Sequence, residues 1–525
     1  MKTDALIVGA GPTGLAIANL LGLAGFDVLV VEREQDIAES PRAVSIDDEG
    51  MRCVQACGLL EAGREVIVPG TGTRYYGADG RLIARALGPR SNPFGHPVKN
   101  PIDHQEFQRL LLAGLERFPT VRVEFGAELV GFEQDESGVD ADIGGRRVGA
   151  SYLLGADGGR STVRRVLDVP MEGRTHGERW LIVDTIRDPH DQRYAMHHGD
   201  PRRPHVVVPG RAGRCRYEFL LLGESDEEAT APAFVGKLMA PYRPALPPED
   251  VLRRTVFTFH SLVARTWRRG RVLLLGDAAH MMPPFAGQGL NSGLRDAVNL
   301  SWKLAHILDG LAGEEILDSY QLEREPSARG MIALSERVGR VVMTTSTAKA
   351  RTRDVLFRAG LRVPWWRRYI GDMRFKPAPR YGAGLFVPGG FGGRMLPQPR
   401  VLLPDGSVQL LDEILGRAFA LVAVEPNEGR FPALRDPIWD RLAASRVVLR
   451  LDERLPPAHE DRCVTAVADV DGLLGAWLAA ARGQVILVRP DRFVFGSFDQ
   501  TGEAGFAAAV SRALSVERSR ALQEV

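Results

Sequence analysis

Three glycine- and aspartate-bearing segments hold the residues best suited to chemistry. The first is Gly9-Ala10-Gly11-Pro12-Thr13-Gly14, after the apolar run Ala5-Leu6-Ile7-Val8. The second is Gly155-Ala156-Asp157-Gly158-Gly159, after Leu153-Leu154, and it runs on to Arg164. The third is Gly276-Asp277-Ala278-Ala279-His280, after Val272-Leu273-Leu274-Leu275. It continues through Pro283-Pro284-Phe285-Ala286 into Gly287-Gln288-Gly289-Leu290-Asn291. An aspartate just past a buried strand can accept hydrogen bonds from ligand hydroxyls, and glycines beside it keep the backbone accessible. In the first segment Gly9 permits a tight turn, Gly11 lets the backbone approach a pyrophosphate, and Gly14 lets a helix pack on the strand. One such segment could be a plain turn; three in this order are more specific.

Positioning them requires strands that end where the glycines begin. Asp4–Glu32 reads strand, turn, helix, strand, acid, the pattern of a dinucleotide-binding βαβ unit. Pro12 and Thr13 open the helix, whose N-terminus offers free N–H groups to phosphates. Glu32, with Arg33 beside it, ends the second strand about where an acid takes a ribose hydroxyl. The spacing predicts a helix over residues 100–118 and strands at 121–125, 128–134, 139–143 and 151–154. The pattern from Trp180 to Leu222 and at Thr255–Ser261 is strand-rich, as for an inserted sheet. A helix is expected over residues 290–308, with Arg295, Asp296, Asn299 and Lys303 as a polar stripe. The Pro/Gly-rich stretch 374–393 reads as a linker, and 401–525 as a separate α/β domain.

Composition sets limits. The 525 residues suggest several domains, and 44% apolar residues with a net charge of +1 fit a globular protein. That balance argues against nucleic acid or an anionic membrane as the main partner. No apolar run is long enough to span a bilayer. No signal peptide is expected, because Asp4 and the early glycines interrupt the first apolar run. Cys53, Cys57, Cys215 and Cys463 form no ligand cluster with histidines, so no metal is expected. So few cysteines fit a reducing, cytoplasmic setting.

With these motifs in view, the chain resembles the single-component FAD-dependent aromatic hydroxylases, a family that includes p-hydroxybenzoate and phenol hydroxylases. Within it the chain looks most like the 3-(3-hydroxyphenyl)propionate hydroxylases. That closer resemblance rests on Pro41-Arg42-Ala43 with Ile46-Asp47-Asp48-Glu49, Gly287-Gln288-Gly289 with Asn291-Ser292-Gly293, Met373-Arg374-Phe375-Lys376-Pro377, and Arg489-Pro490-Asp491-Arg492-Phe493. It implies an α/β fold: a Rossmann-like FAD-binding domain, an inserted substrate-binding sheet domain and a thioredoxin-like C-terminal domain. The FAD-binding parts would be 1–72, 100–175 and 267–375, the substrate-domain parts 73–99 and 176–266, the linker 376–400 and the last domain 401–525.

The resemblance also implies roles. Gly9, Gly11, Pro12, Thr13, Gly14, Glu32 and Arg33 would hold the ADP half of FAD, with Arg42 and Gln105 beside the cofactor. Asp157 would serve FAD and the passing nicotinamide, with Arg164 nearby. Gly276 and Asp277 would bind the ribityl chain. Gly287, Gln288, Gly289, Leu290 and Asn291 would present helix N-terminal amides to the flavin, and Pro284 would wall it from the substrate. NADH or NADPH would reduce FAD, O₂ would add at flavin C4a as a hydroperoxide, and oxygen would pass to a phenol ortho to its hydroxyl. His205 and Tyr217 are the expected substrate contacts, with Arg193, His197 and His198 near in sequence. The expected partner is a small phenolic substrate, with no nucleic acid or membrane. The C-terminal domain has Cys463 but no CxxC, so subunit contact, as in a homodimer, or structural support is expected of it rather than redox work. Alternatives are a hydroxylase of a larger phenol or polyketide, a flavin dehydrogenase or oxidase, and a non-catalytic flavin binder.

Overall fold

A computed structural model describes residues 2–37, 43–70, 72–190, 192–426, 430–452, 454, 459 and 461–515. The chain divides into two compact units. The first comprises residues 1–90, 97–295 and 328–377, and the second 91–96, 296–327 and 378–525.

The first unit is built on two eight-stranded sheets. In one, Val272–Leu274, Arg146–Gly155, Lys2–Val8, Val28–Glu32 and Val121–Phe125 lie side by side in that order and run parallel. The apolar residues of the four strands other than the edge strand Val121–Phe125 are buried on both faces, as a covered parallel sheet requires. The hairpin Leu129–Gln134 and Val139–Ile143 extends Arg146–Gly155 antiparallel. Val8 is level with Gly155, and Gly155 with Leu274. Because these strands are parallel neighbours ending in register, the three chemically equipped turns leave the same edge of the sheet. The spacing over 100–118 resolves into the short strand Asn100–Pro101, a helix at His104–Ala113 and a 3₁₀ turn at Gly114–Arg117.

The second sheet has the order His280–Met281, Val251–Ala264, Met171–Thr185, Cys215–Leu220, His205–Pro209, Ala195–His198, Thr73–Tyr76, Leu82–Ala86. All its neighbours are antiparallel except Ala195–His198 with Thr73–Tyr76. One cross-strand row on this sheet is His197, Val206, Glu218, Ile182 and Thr255; the next is Val208, Arg216, Asp184 and Arg253. Residues in register share a face, so each row lies on one side of the sheet. The other side carries Val207, Tyr217, Phe219, Leu181 and Val183, packed with Val235 and Met239 of the helix Pro232–Met239.

The second unit has a seven-stranded sheet. Its order is Val408–Leu410, Arg400–Leu402, Val464–Asp469, Ser445–Arg450, Ala420–Val424, Val485–Val488, Val494–Phe498. The last helix, Glu503–Ala513, buries Phe506 and Val510 against Trp439, Phe495 and Phe498. Asp296, Asn299 and Lys303, three of the four residues of the polar stripe on the helix Gly289–Leu308, are buried rather than solvated. Asp296 accepts from Arg324 at 2.8 Å, and Lys303 and Arg489 share Glu323 at 2.8 and 2.6 Å. No helix among the described residues is long and apolar enough to cross a membrane.

Candidate active site

The common edge of the three turns is a cleft lined by Gly9, Gly11, Pro12, Thr13, Glu32, Arg33, Asp157, Asp277, Gly289 and Leu290, among others. Gly9 has φ +106°, and a Cβ there would lie 2.5 Å from the Ala156 carbonyl oxygen; one on Gly14 would lie 2.0 Å from the Gly9 oxygen. These two glycines therefore pack strand, turn and helix together. Gly11 differs: a Cβ there would meet nothing within 4 Å. It faces the cleft at the start of the helix Pro12–Leu23, and no side chain caps that helix. The Glu32 carboxylate is held by the amides of Ala10 (2.9 Å) and Glu34 (3.1 Å).

Asp157 accepts from the amides of Thr162 and Val163 through Oδ2, at 2.7 and 3.1 Å. Its Oδ1 is buried without a partner, and burial pushes its pKa up. An unpartnered buried acceptor costs about 1–3 kcal/mol unless a ligand donor meets it. Together with the open approach at Gly11 and the uncapped helix N-terminus, it shows that the cleft fits a dinucleotide.

Several expected residues sit differently. Arg164 does not line the cleft. Its guanidinium donates to the Ala278 and Gly159 carbonyls at 2.9 and 2.7 Å, tying the second turn to the third. Arg160 lines the cleft instead. Gln105 faces an adjoining cavity with Asp103 and Arg214, whereas Gln108, one helical turn on, lines the cleft and donates to the Ala10 carbonyl at 2.7 Å. Arg33 is exposed and paired with Glu34. Arg42 lies outside the described residues.

The third turn separates the cleft from a second, mostly apolar pocket; Asp277, Gly289 and Leu290 line both. Ile182, Val206, Phe257, Phe259, Pro284 and Phe285 supply its walls, and Lys99, Asp184, His197, Glu218, Arg253 and His260 are among its polar groups. Neither His205 nor Tyr217 is among them. His205 hydrogen-bonds the Tyr242 hydroxyl and the Arg203 carbonyl, and Tyr217 donates to Asp188 at 3.1 Å, both behind the sheet. The reason is strand periodicity: side chains alternate between faces, so the pocket receives Val206 and Glu218, one residue away. Alternation in Cys215–Leu220 suggests that Arg216 and Glu218 face water, but both are buried on the pocket side. Burial pushes Glu218 above the usual carboxylate range against the pull of Arg216.

The turn is braced from beneath by residues whose contacts sequence reasoning left unassigned. Gln288 Nε2 donates to Asp47 Oδ2 at 3.1 Å, and Arg295 donates to Asp47 Oδ2 and to Gln288 Oε1 at 2.8 and 2.7 Å. Asn291 accepts from the Asp47 amide at 3.0 Å and donates to the Gly287 carbonyl at 2.8 Å. Lys376 closes the cluster, reaching Asp47, Asp48 and Glu49 at 2.9, 3.2 and 2.8 Å. Burial raises Asp47, but Lys376 and Arg295 outweigh it and hold the carboxyl below its usual range. Burial lifts Asp48 to about 6 despite Lys376. Gln288 and Asn291 therefore fix the turn's shape through their side chains. The pairing partners, Ile46–Glu49 and Met373–Pro377, were both visible as motifs, but nothing in the sequence joined them.

A parallel sheet delivering three such turns to one cleft, with a walled pocket beyond the third, defines a dinucleotide-binding protein. Comparison with known proteins makes this specific. The family profile described as "FAD binding domain" matches residues 2–335, and "HcaD C-terminal domain" matches 393–513. A 3-(3-hydroxy-phenyl)propionate/3-hydroxycinnamic acid hydroxylase of Mycobacterium avium is 39% identical, covering 98% of this chain and 92% of the relative. One of Mycolicibacterium gilvum is 41% identical over 94% of this chain and 88% of its own. The fold matches the flavin-dependent monooxygenase PieE, solved with FAD and substrate, at a TM-score of 0.78 and 23% identity, covering 98% of this chain and 99% of PieE. Aklavinone-11 hydroxylase, solved with FAD and aklavinone, matches equally, with TM-score 0.78, 23% identity and the same coverage, 98% and 99%. The chain belongs to the FAD-dependent aromatic hydroxylases.

Proposed function

We propose that the protein hydroxylates a small phenolic acid ortho to its hydroxyl group, with 3-(3-hydroxyphenyl)propionate as the substrate its relatives' names suggest. The observation that carries this reading is the pocket past the third turn: aromatic and aliphatic walls sized for a ring, with cations among them. Bound FAD, reduced by NADH or NADPH, supplies the activated oxygen. The chain's own part is to bind and enclose. Gly9, Gly11, Gly14 and the Pro12–Leu23 amides would take the pyrophosphate, Glu32 a ribose hydroxyl, and Asp157 and Asp277 further hydroxyls. The turn from Gly287 to Asn291, held by Asp47, would present its amides to the flavin's polar edge, where they stabilise negative charge. Pro284, Phe285 and Phe259 exclude water from the space where oxygen is transferred.

The test is NAD(P)H oxidation by purified, FAD-loaded protein with and without 3-(3-hydroxyphenyl)propionate, alongside catechol and H₂O₂ assays. Substrate-stimulated oxidation yielding the 2,3-dihydroxy product is expected. Stimulation yielding only H₂O₂ would reject this substrate in favour of a larger phenol. Oxidation indifferent to any phenol would favour a dehydrogenase or oxidase.

We read residues 401–525 as thioredoxin-like. Supporting this are the parallel strands Ala420–Val424 and Ser445–Arg450, followed by the antiparallel hairpin Val485–Phe498 and a closing helix. A role in subunit contact within a cytoplasmic homodimer goes with it, testable by sedimentation of the full chain.

A further inference from the structure

We propose that Lys99 holds the substrate's phenolic oxygen as phenolate, and that Arg253 takes the carboxylate at the other end of the molecule. This rests on the reading of the pocket as a phenolic-acid site, and it adds the groups that make the ring reactive and select the acid.

Lys99 sits immediately before a two-residue strand that fixes it beside the third turn. Asn100 and Pro101 pair with Ile46 and Ser45, and Asn100 donates to the Ile46 and Pro97 carbonyls at 3.1 and 2.8 Å. A Cβ built on Gly287 would lie 2.6 Å from Ser45 Oγ and 4.0 Å from Lys99 Nζ. The ammonium is therefore next to the turn that separates cleft from pocket, and it lines the pocket. Among the described residues Lys99 makes no hydrogen bond and no ion pair. Two groups act on it from neighbouring elements. Asp47 favours its charge but is already bonded to Arg295, Lys376 and Gln288. His197, on the strand Ala195–His198, is kept neutral by burial and by Lys99 itself, with its Nδ1 buried and unpartnered. Glu218, Asp184, Arg253, His260 and Asp277 line the same pocket, with Asp184 held by Arg216 at 2.7 Å and His260 bonded to Thr175 at 3.0 Å.

A cation with no ion pair among the described residues, beside an imidazole nitrogen with no partner among them, in a mostly apolar pocket, calls for an anionic ligand group. Burial lowers Lys99 to about 8, whereas a free phenol titrates near ~10. Pairing the two favours phenolate and ammonium together. When Lys99 enters as the amine, the phenolic O–H breaks and the proton passes to Nζ. When it enters as the ammonium, the phenolic proton leaves to water. Either way the ring gains the electron density that ortho attack needs, and no oxidant is consumed.

Arg253 marks the second point. It stands in register with Asp184, but that carboxylate is taken by Arg216 at 2.7 and 3.0 Å, and Arg253 has no ion pair among the described residues. It lines both this pocket and the adjoining cavity. A planar guanidinium is suited to grip a carboxylate with two hydrogen bonds.

The experiment is equilibrium binding to FAD-loaded protein at pH 7 without NAD(P)H, read by ultraviolet difference spectra that distinguish phenol from phenolate. The probes are 3-(3-hydroxyphenyl)propionate and 3-ethylphenol, which lacks the carboxylate. Wild type and Lys99→Arg are expected to show the phenolate band with both probes, and Lys99→Met with neither, at unchanged FAD content. Arg253→Met is expected to keep the band but weaken the acid by about tenfold or more, leaving 3-ethylphenol unaffected. Three results would overturn the assignment: wild type binding neutral phenols, Lys99→Met retaining the band, or Lys99→Met leaving ligand ionisation alone while shifting the flavin's own N3 titration. Equal loss of both probes in Arg253→Met would remove Arg253 from it. Phenolate binding by wild type without catechol formation would reject the proposed function and leave Lys99 in place.

Discussion

The nucleotide cleft and the pocket beyond it are made of different material. The cleft is backbone: its shape depends on where side chains are missing, at Gly9, Gly11 and Gly14, and on amides at strand and helix ends. The pocket is largely side chains, many taken from alternate positions on neighbouring strands, from Met171–Thr185 to Val251–Ala264. A backbone site tolerates almost any neighbouring sequence but few changes at its glycines. A side-chain site depends on register, and moving one residue along a strand changes its face. Substitutions should therefore act very differently in the two regions.

The largest effect is expected at Gly14→Val. Its Cβ would sit 2.0 Å from the Gly9 oxygen, so helix and strand must separate, at about 1–3 kcal/mol or more. Purified protein should be colourless with a lowered Tm. Gly11→Val comes next and separates binding from folding. With open space at that Cβ, apo-protein should melt as wild type does while FAD is excluded; a yellow, FAD-loaded variant would contradict the cleft. Asp277→Ala should lower FAD occupancy only in part, read by absorbance after gel filtration, because other groups still hold the cofactor. At the pocket's back face, His205→Ala should cost about 1 kcal/mol of stability for a lost hydrogen bond. It should leave the ratio of product to NAD(P)H unchanged; a changed ratio would mean the two faces are not separate.

The smallest effect is a slope. Burial takes Lys99 from its ordinary 10.5 down to about 8 in the folded chain, so between those values the unfolded chain binds more protons. Stability of the FAD-free protein should accordingly rise as pH climbs from about 8 to 10.5. Chemical denaturation across that range should show this rise in wild type and a shallower one in Lys99→Met.

The same contrast explains what the sequence disclosed. Gly9–Gly14, Asp157 and Asp277 were legible because a phosphate-binding turn needs specific residues at short spacing, and the parallel strands before them read as apolar runs. His205 and Tyr217 were misplaced because alternation reveals that a strand has two faces but not which one is inside. Arg216 and Glu218 look like solvent residues until the sheet's second layer is known. Gln105 and Gln108 lie on the same helix one turn apart, and only packing decides between them. Lys376 and Asp47 are more than three hundred positions apart, and no local signal joins them.

That last pairing sets a limit on recombination. Lys376 precedes the point where the first unit ends, at Pro377, yet its ammonium helps hold the carboxylate that anchors Gln288. A chimera joining this nucleotide-binding unit to another hydroxylase's C-terminal half should keep its crossover beyond Pro377. A junction a few residues earlier would exchange Lys376 for a foreign side chain and leave Arg295 to balance three buried acids.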